Sequence, residues 1–526
     1  MGEPDPRLTR GAAIDRLAER SFDLLVIGGG IVGAGIAAHA SREGLAVALV
    51  DAGDFGGATS SASSKLVHGG LRYLRLGDVG LVREAHHERR ALSRVVAPHL
   101  VHRMPFLLPL YEGGPFRPAF VQSGILLYST IARSRLHWLV GRERARRLVP
   151  PLRVDALRSC ALYADAWTND ARLCLANVRA AADYGATVLN GAEVVRLRST
   201  RGALTGATVR VDGEYVAVDA RVCVNAAGPW VDEVRRLENP FAGTSVRLSK
   251  GAHVLVRADE EWAAALTVPQ DDVRVTFAVP WYGMLLLGTT DDAWEDGPDA
   301  VDVEPADVTR ILEEAAVALP PDLVSPERVR AAYAGLRVLP AGAGDSVSAR
   351  RETVFTRSRG GMLNVAGGKL TTYRRIALEA LSRLRGDLGL RRLETKPWPL
   401  PGATGPDRRL PGDLDADVAE HLLHLYGGLA HEVLDCAEHD HSLLERLHPD
   451  GPDIAAQVVY AATHEWARDA DDVLRRRTTC FYRGLSDPTL AERVDELLAR
   501  ARNGHASVSD TVSDTGRVRR SLGRGG

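Results

Sequence analysis

Three glycines, Gly28, Gly30 and Gly33, stand in G-x-G-x-x-G spacing directly after a short apolar run, Leu24 to Ile27. A strand, then glycines, then the start of a helix is the order that binds the pyrophosphate of a dinucleotide. Gly28 permits the tight turn, Gly30 leaves room for phosphate against the backbone, and Gly33 lets the helix from Ile31 to Glu43 lie close on the sheet. The N–H groups that open this helix then face the phosphates. A second strand, Ala46 to Val50, ends in Asp51, about 20 residues past the glycines, where a carboxylate accepts hydrogen bonds from a ribose 2'-hydroxyl. That carboxylate selects a ribose without a 2'-phosphate, but these residues do not choose between NAD and FAD. Thr59, Ser60, Ser61, Ser63, Ser64 and Lys65 then set five hydroxyls and a cation within seven positions, an array suited to hydrogen-bonding a long polar cofactor. Nearly at residue 370 the same logic recurs: Met362 to Ala366 reads as a strand, Gly367-Gly368 as a turn, and Lys369 to Leu384 as a helix. Backbone N–H groups at Gly368, Lys369, Leu370 and Thr371 can there face a ring that gains negative charge on reduction.

The elements that must hold these groups are legible in part. Strand-like runs at Thr187–Leu189, Glu193–Leu197, Ala207–Val211 and Tyr215–Val224 are separated by glycine and charged turns. From Val246 to Asp292 the pattern alternates, in Val254–Val256, Val273–Val279 and Met284–Gly288, with Tyr282-Gly283 as a hairpin turn, which predicts an antiparallel sheet. Helical spacing marks Val79–Val96 and Glu304–Leu319, and Asn169 or Asp170 is placed to cap a helix. Beyond a proline-rich joint, Lys396 to Pro411, the pattern is helical at Asp417–Tyr426, Ile454–His464, Ala470–Arg477 and from Asp487-Pro488 to about Arg502. The apolar stretch Phe116 to Val140 is ringed by arginines and reads either as a core helix pair or as a segment lying in a bilayer interface.

With 526 residues the chain is long enough for two or three domains, and a net charge of -2 argues against a nucleic-acid binder that works through overall basicity. Five cysteines without C-x-x-C spacing fit a reducing cytosol. No run is apolar enough for a transmembrane helix and no signal peptide is visible. His86-His87 and the loose set His431, His439, His441 and His448 lack metal-ligand geometry, so no metal site is expected.

The run Thr59 to Leu74, TSSASSKLVHGGLRYL, resembles throughout the T-S-S-x-S-S-K-L-[IV]-H-G-G-L-R-Y-L pattern of the FAD-dependent glycerol-3-phosphate dehydrogenases, within the D-amino-acid oxidase-like flavoproteins. Gly367 to Arg374, GGKLTTYR, matches that family without a change, and Asn225 to Trp230, NAAGPW, resembles the turn that lays a glycine, here Gly228, beside the cofactor. The resemblance spans roughly Asp23 to Arg502 and implies FAD as cofactor, with His68 and Gly69 joining the residues already named. The fold it implies is α/β: a Rossmann-like FAD-binding domain, an antiparallel-sheet substrate domain and a C-terminal helical domain. Residues 1–20 read as a leader and 21–395 as the oxidoreductase region. Within that region the FAD-binding parts are near 21–110, 155–245 and 330–395, and the substrate or cap parts near 111–154 and 246–329. Residues 396–505 read as the helical domain and 506–526 as a disordered tail.

The activity implied is oxidation of sn-glycerol 3-phosphate to dihydroxyacetone phosphate, with FAD taking the hydride and a membrane quinone the electrons. Partners would be that substrate, the quinone, a peripheral contact with the inner face of the cell membrane from the cytoplasm, and a second copy in a homodimer. A phosphate dianion needs several cations. Arg72 with its neighbour Tyr73, Arg337 and Arg351 lie at the family's substrate positions, although Arg350 could replace Arg351 because the sequence around it departs from the family pattern. Removing the hydroxyl proton calls for a base, for which His253 is preferred on its ordinary pKa and Lys369 is the runner-up, with Arg337 steadying the alkoxide. Three alternatives stay open: an oxidase passing electrons to O2, an amine oxidase of the same superfamily, and a flavin-binding subunit without catalysis. The cation set counts against the amine oxidase, and the intact His253, Arg337 and Lys369 against the third.

Overall fold

A computed structural model describes residues 9–69, 79–116, 121, 124, 138–271, 274–342, 353–405, 410 and 414–502. Two sheets organise it. The first has five parallel strands in the order Leu363–Gly367, Glu214–Asn225, Ser21–Ile27, Val47–Val50 and Thr187–Leu189, with Thr353–Arg357 antiparallel at one edge. Because side chains alternate along a strand, both faces of this sheet are fed. Leu24, Val26, Val47, Leu49 and Val188 pack with the helices Ile31–Arg42, Asp170–Asp183 and Tyr373–Arg383. Phe22, Leu25, Ile27, Ala48, Val50 and Leu189 face the other way, onto a meander of Ala192–Thr200, Ala203–Val211 and Glu214–Asn225.

The helix Arg10–Glu19 completes that second face, burying Ala13 and Leu17, and Arg10 pairs with Asp212 at 2.8 Å. The stretch read as a leader is therefore part of the domain from Thr9 onward, because its apolar residues at i and i+4 meet the exposed back of the sheet.

The second sheet has ten strands. Next to one edge of it runs the long strand Val246–Arg257, flanked by Met284–Gly288 on the inner side and by Val329–Pro340 on the outer, both antiparallel. Tyr282 and Gly283 have φ of 47° and 77°, the positive pair of a two-residue hairpin turn, as expected from the sequence. Val101–Tyr111 and Leu157–Thr168 form a second long antiparallel pair of the same sheet, and Trp138–Val140 joins its edge. Parts of 21–110, 155–245 and 330–395, the segments expected to be FAD-binding, thus contribute strands to this second sheet. Within Val101–Tyr111 and Leu157–Thr168 the runs Phe106 to Leu110 and Cys160 to Ala166 are buried along both faces and so show little alternation, which hid them. Most of Phe116 to Val140, and so the choice between its two readings, lies outside the described residues; so does the expected tail.

Helices beyond residue 415 enclose a third core around Leu422, Tyr426, Val458 and Val494. They dock on the first domain through buried ion pairs. Arg172 donates to Glu465 at 2.6 Å, while Arg476 and Arg477 both donate to Asp54. Among the described residues no helix is long and apolar enough to cross a membrane, and no cluster of ligating side chains could hold a metal.

Candidate active site

Gly28 has φ of +102°, and a Cβ there would lie 2.6 Å from the carbonyl oxygen of Ala226; at Gly33 it would lie 1.9 Å from that of Gly28. A Cβ at Gly30 would stand 3.1 Å from Ser60 Oγ, whose oxygen accepts from Ile31 N–H at 2.9 Å. The glycine turn is thus closed by backbone and leaves the first helix N–H groups beside an open cavity. Asp51 lies at the end of its strand, where its carboxylate accepts from Gly29 N–H at 2.6 Å and Gly53 N–H at 2.8 Å. Burial pushes this carboxyl up to about 6 against those two bonds, so the free site holds an acceptor that hydroxyl donors would relieve.

The cavity, of about 1330 Å³, is lined by Gly28, Gly30 and Asp51 and also by Thr59, Ser60, Ser63, Ser64, His68, Gly228, Gly368, Lys369, Leu370, His253 and Arg337. Residues more than 300 positions apart therefore share one chamber. The two glycine motifs touch directly: Thr371 Oγ1 accepts from His68 N–H at 3.2 Å and donates to the His68 carbonyl at 3.4 Å.

Five residues expected to bind the cofactor do not line this cavity: Gly33, Ser61, Lys65, Gly69 and Thr371. Gly33 and Thr371 serve in the packing just described. Ser61 turns its hydroxyl to the Ala58 carbonyl, and Gly69 N–H donates to Asp165 at 2.7 Å. Lys65 is the largest correction. Its side chain is wholly buried, donating to Asp170 at 2.6 Å, to the Ser61 carbonyl at 2.9 Å and to Tyr482 Oη at 3.3 Å, with the rings of Trp281, Tyr333 and Tyr482 around it. An ammonium with a carboxylate partner inside the protein has no donor left for a cofactor. Arg72, Tyr73 and Arg351, expected at the substrate, lie outside the described residues.

The substrate side is built by period-two alternation on two paired strands. Ser249, Gly251 and His253 project from Val246–Arg257, and opposite them stand Arg337, Gly335 and Tyr333 of Val329–Pro340. The facing glycines open a slot: a Cβ at Gly251 would lie 2.4 Å from Arg337 Nη2, and one at Gly335 2.6 Å from Ala62 Cβ. Arg337 is held by Asp291 at 3.3 Å, Thr289 Oγ1 at 2.9 Å and the Thr290 carbonyl at 3.0 Å. His253 stacks on Tyr333 with ring centroids 4.9 Å apart, and its Nε2 lies 2.9 Å from Ser64 Oγ. Burial first, then Arg337 and Lys65, hold the imidazole well below its usual range, so the ring is neutral in the free site. Tyr333 and Tyr482 were missed from the sequence, Asp170 was read only as a possible helix cap, and Asp291 stood in a stretch, Gly288 to Asp291, that matches family positions; the paired S-x-G-x-H and Y-x-G-x-R alternation is the signal that could have found Tyr333.

Residues 23–374 match the model of the FAD dependent oxidoreductase family, and residues 391–505 match that of the C-terminal domain of alpha-glycerophosphate oxidase. A glycerol-3-phosphate dehydrogenase of Mycobacterium leprae is 36% identical over 485 residues, spanning 89% of this chain and 82% of that one. The chain belongs to the FAD-dependent glycerol-3-phosphate dehydrogenase family. Glycerol-3-phosphate dehydrogenase 1 of Mycobacterium tuberculosis is 37% identical over 497 residues, 89% of this chain and 93% of its own. Among solved structures, the glycerol-3-phosphate dehydrogenase of Bacillus halodurans complexed with FAD superposes with a TM-score of 0.75 at 26% identity, over 95% of this chain and 94% of that one. The cofactor of this family is FAD, and the residues here fit it. The glycine turn bars any Cβ, the Asp51 carboxylate lacks hydroxyl donors, and the flavin-side motif at Gly368 to Leu370 opens on the same cavity.

Proposed function

We propose that the protein oxidises sn-glycerol 3-phosphate to dihydroxyacetone phosphate and passes the electrons to a membrane quinone. The observation that carries the reading is the convergence of His253, Arg337 and Lys369 on the cavity that also holds Asp51 and Gly28. Bound FAD supplies a hydride acceptor at flavin N5. In this reading Gly28, Gly30, Asp51, Ser60, Gly228 and Gly368 to Leu370 hold the cofactor. Arg337, fixed in direction by Asp291 and Thr289, meets the substrate oxygen and steadies charge that develops there. Lys369 and Arg274 add positive charge to the cavity wall for the phosphate. His253 takes the hydroxyl proton, its ring being neutral beforehand and the negative charge left on the reacting groups offsetting the burial and the cations that otherwise disfavour the imidazolium. Arg72, Tyr73 and Arg351 are assigned to the phosphate on family resemblance.

The domain reading follows: a cofactor domain, a substrate sheet whose strands are interleaved with it along the chain from Leu66–Val67 onward, and a helical domain from about residue 396. The protein works at the cytoplasmic face of the cell membrane, where a quinone is within reach.

The test is anaerobic absorbance of the purified protein on addition of glycerol 3-phosphate. Bleaching by that substrate and not by glycerol or amino acids supports the reading. Reoxidation by quinone faster than by air supports the acceptor, and the reverse order makes the protein an oxidase. A flavin that stays oxidised refutes the substrate.

A further inference from the structure

His253 is only 2% exposed. On one side its ring lies on Tyr333; on the other it faces the cross-strand partner Gly288, where a Cβ would sit 2.7 Å from His253 Cδ2. Its Nδ1 is buried and has no hydrogen-bond partner among the described residues. Its Nε2 faces Ser64 Oγ at 2.9 Å. Ser64 is half-buried and lines the cavity. The imidazole borders the cavity, and the nitrogen that could take a proton, Nε2, is met by the Ser64 hydroxyl.

We infer that Ser64 relays the substrate proton: as the hydride leaves carbon 2 of the substrate for the flavin, the substrate O–H proton passes to Ser64 Oγ while the Ser64 proton passes to His253 Nε2. One O–H bond of the substrate breaks and one forms on Ser64; the O–H of Ser64 breaks and an N–H forms on His253. The alcohol is oxidised by two electrons and the flavin reduced by the same two. The inference rests on the reading of His253 as base.

The loop is built to hold that hydroxyl in place. Lys65, next in the chain, has φ of +55° and is pinned by Asp170, which also accepts from Ser63 N–H at 3.1 Å and Ser63 Oγ at 2.7 Å. Tyr333 Oη donates to the Ser63 carbonyl at 2.7 Å, so the ring that stacks on the base also anchors the residue before the relay. Ser64 is thereby bracketed by two residues, Ser63 and Lys65, that hydrogen bonds hold on either side. Lys65, Asp170, Ser63 and Tyr333 are positioning residues in this scheme, and Ser64 is the one that touches substrate.

Stopped-flow reduction of the holoenzyme by glycerol 3-phosphate tests it. Ser64→Ala is expected to slow flavin reduction at least about 100-fold, in the range of general acid–base catalysis, with the substrate concentration at half-maximal rate within about threefold of wild type. Ser64→Thr restores the hydroxyl and should recover most of the rate. In the wild type, rates across H2O and D2O mixtures should curve downward, as two protons in flight require. Wild-type speed in Ser64→Ala, a linear dependence on deuterium fraction, or no solvent isotope effect overturns the relay. Slow reduction by His253→Asn together with normal Ser64→Ala leaves the base standing and removes the relay alone. Normal reduction by His253→Asn removes the base reading itself. Should Ser64→Ala fail to hold flavin, the isotope series on the wild type decides.

Discussion

Replacing Lys65 by Met tests whether its charge is structural. The side chain is fully enclosed, and its removal leaves the Asp170 carboxylate buried with Ser63 N–H, Ser63 Oγ and Ala171 N–H as remaining donors. Breaking a buried pair by deleting one partner costs roughly 3–5 kcal/mol, and the three surviving bonds place this case at about 3. Unfolding entropy scales with length at about 2.1 cal/mol/K per residue, or about 1 kcal/mol/K for a chain of this size. The melting temperature of the FAD-saturated protein should therefore fall by about 3 °C in differential scanning fluorimetry. Lys65→Met with Asp170→Asn removes both charges and should regain most of that loss, since replacing a whole buried pair is often near neutral. Burial alone would lower the Lys65 pKa, but Asp170 and Tyr482 outweigh it and the ammonium is raised. A raised folded-state pKa gives stability that is complete below the ordinary lysine range and is lost only as pH climbs above it, so the deficit should be constant from pH 6 to 9. A single variant as stable as wild type, or a double variant at the sum of its parts, refutes the argument.

Asp51 titrates in the same sense but in the acid range, and there burial is the first cause that raises it. Its carboxyl is raised from 3.8 to about 6 in the folded protein, so its ionisation costs the free protein about 3 kcal/mol as pH rises from 4 through 6, which urea melts of the FAD-free protein should reveal. FAD affinity, followed by quenching of flavin fluorescence, should weaken below pH 6 as the acceptor is protonated, and Asp51→Ala should flatten that profile. Gly33→Ala places a methyl 1.9 Å from backbone oxygen and should yield protein without bound flavin, visible as lost absorbance near 450 nm. Asp453 accepts from His421 and Thr479, which hold it well below the carboxylate range despite burial. Its contribution is present above pH 4 and is lost as pH falls further, so Asp453→Asn should shift the acid-unfolding midpoint upward, followed by circular dichroism.

The cofactor half was readable because dinucleotide binding imposes local order: Gly28, Gly30, Gly33 and Asp51 sit within 24 consecutive residues and each has its role through backbone geometry. The substrate half depends on which strands pair. His253 and Arg337 could be named, but their union across Val246–Arg257 and Val329–Pro340 is a matter of register that composition does not reveal. Lys65 was misread for a related reason. A lysine after five hydroxyls has the chemistry of a phosphate ligand, and only the fold brings Asp170 and Tyr482 to it from 105 and 417 residues away. The helix Arg10–Glu19 was underrated because two small apolar contacts, Ala13 and Leu17, are a faint pattern in a charged segment.

The reach of the last helices back to Asp54 and Lys65 bears on how the protein is made. Asp54 waits for Arg476 and Arg477, 422 and 423 positions later, and Lys65 for Tyr482. A nascent chain leaving the ribosome presents the glycine turn early, but the groups that neutralise the loop behind it emerge more than 400 residues later. Until then a carboxylate and an ammonium destined for the interior remain hydrated, which disfavours closure of the loop around FAD. A chain that stops before Arg476 is therefore expected to take up flavin poorly, and lost absorbance near 450 nm in such a truncated protein would show it.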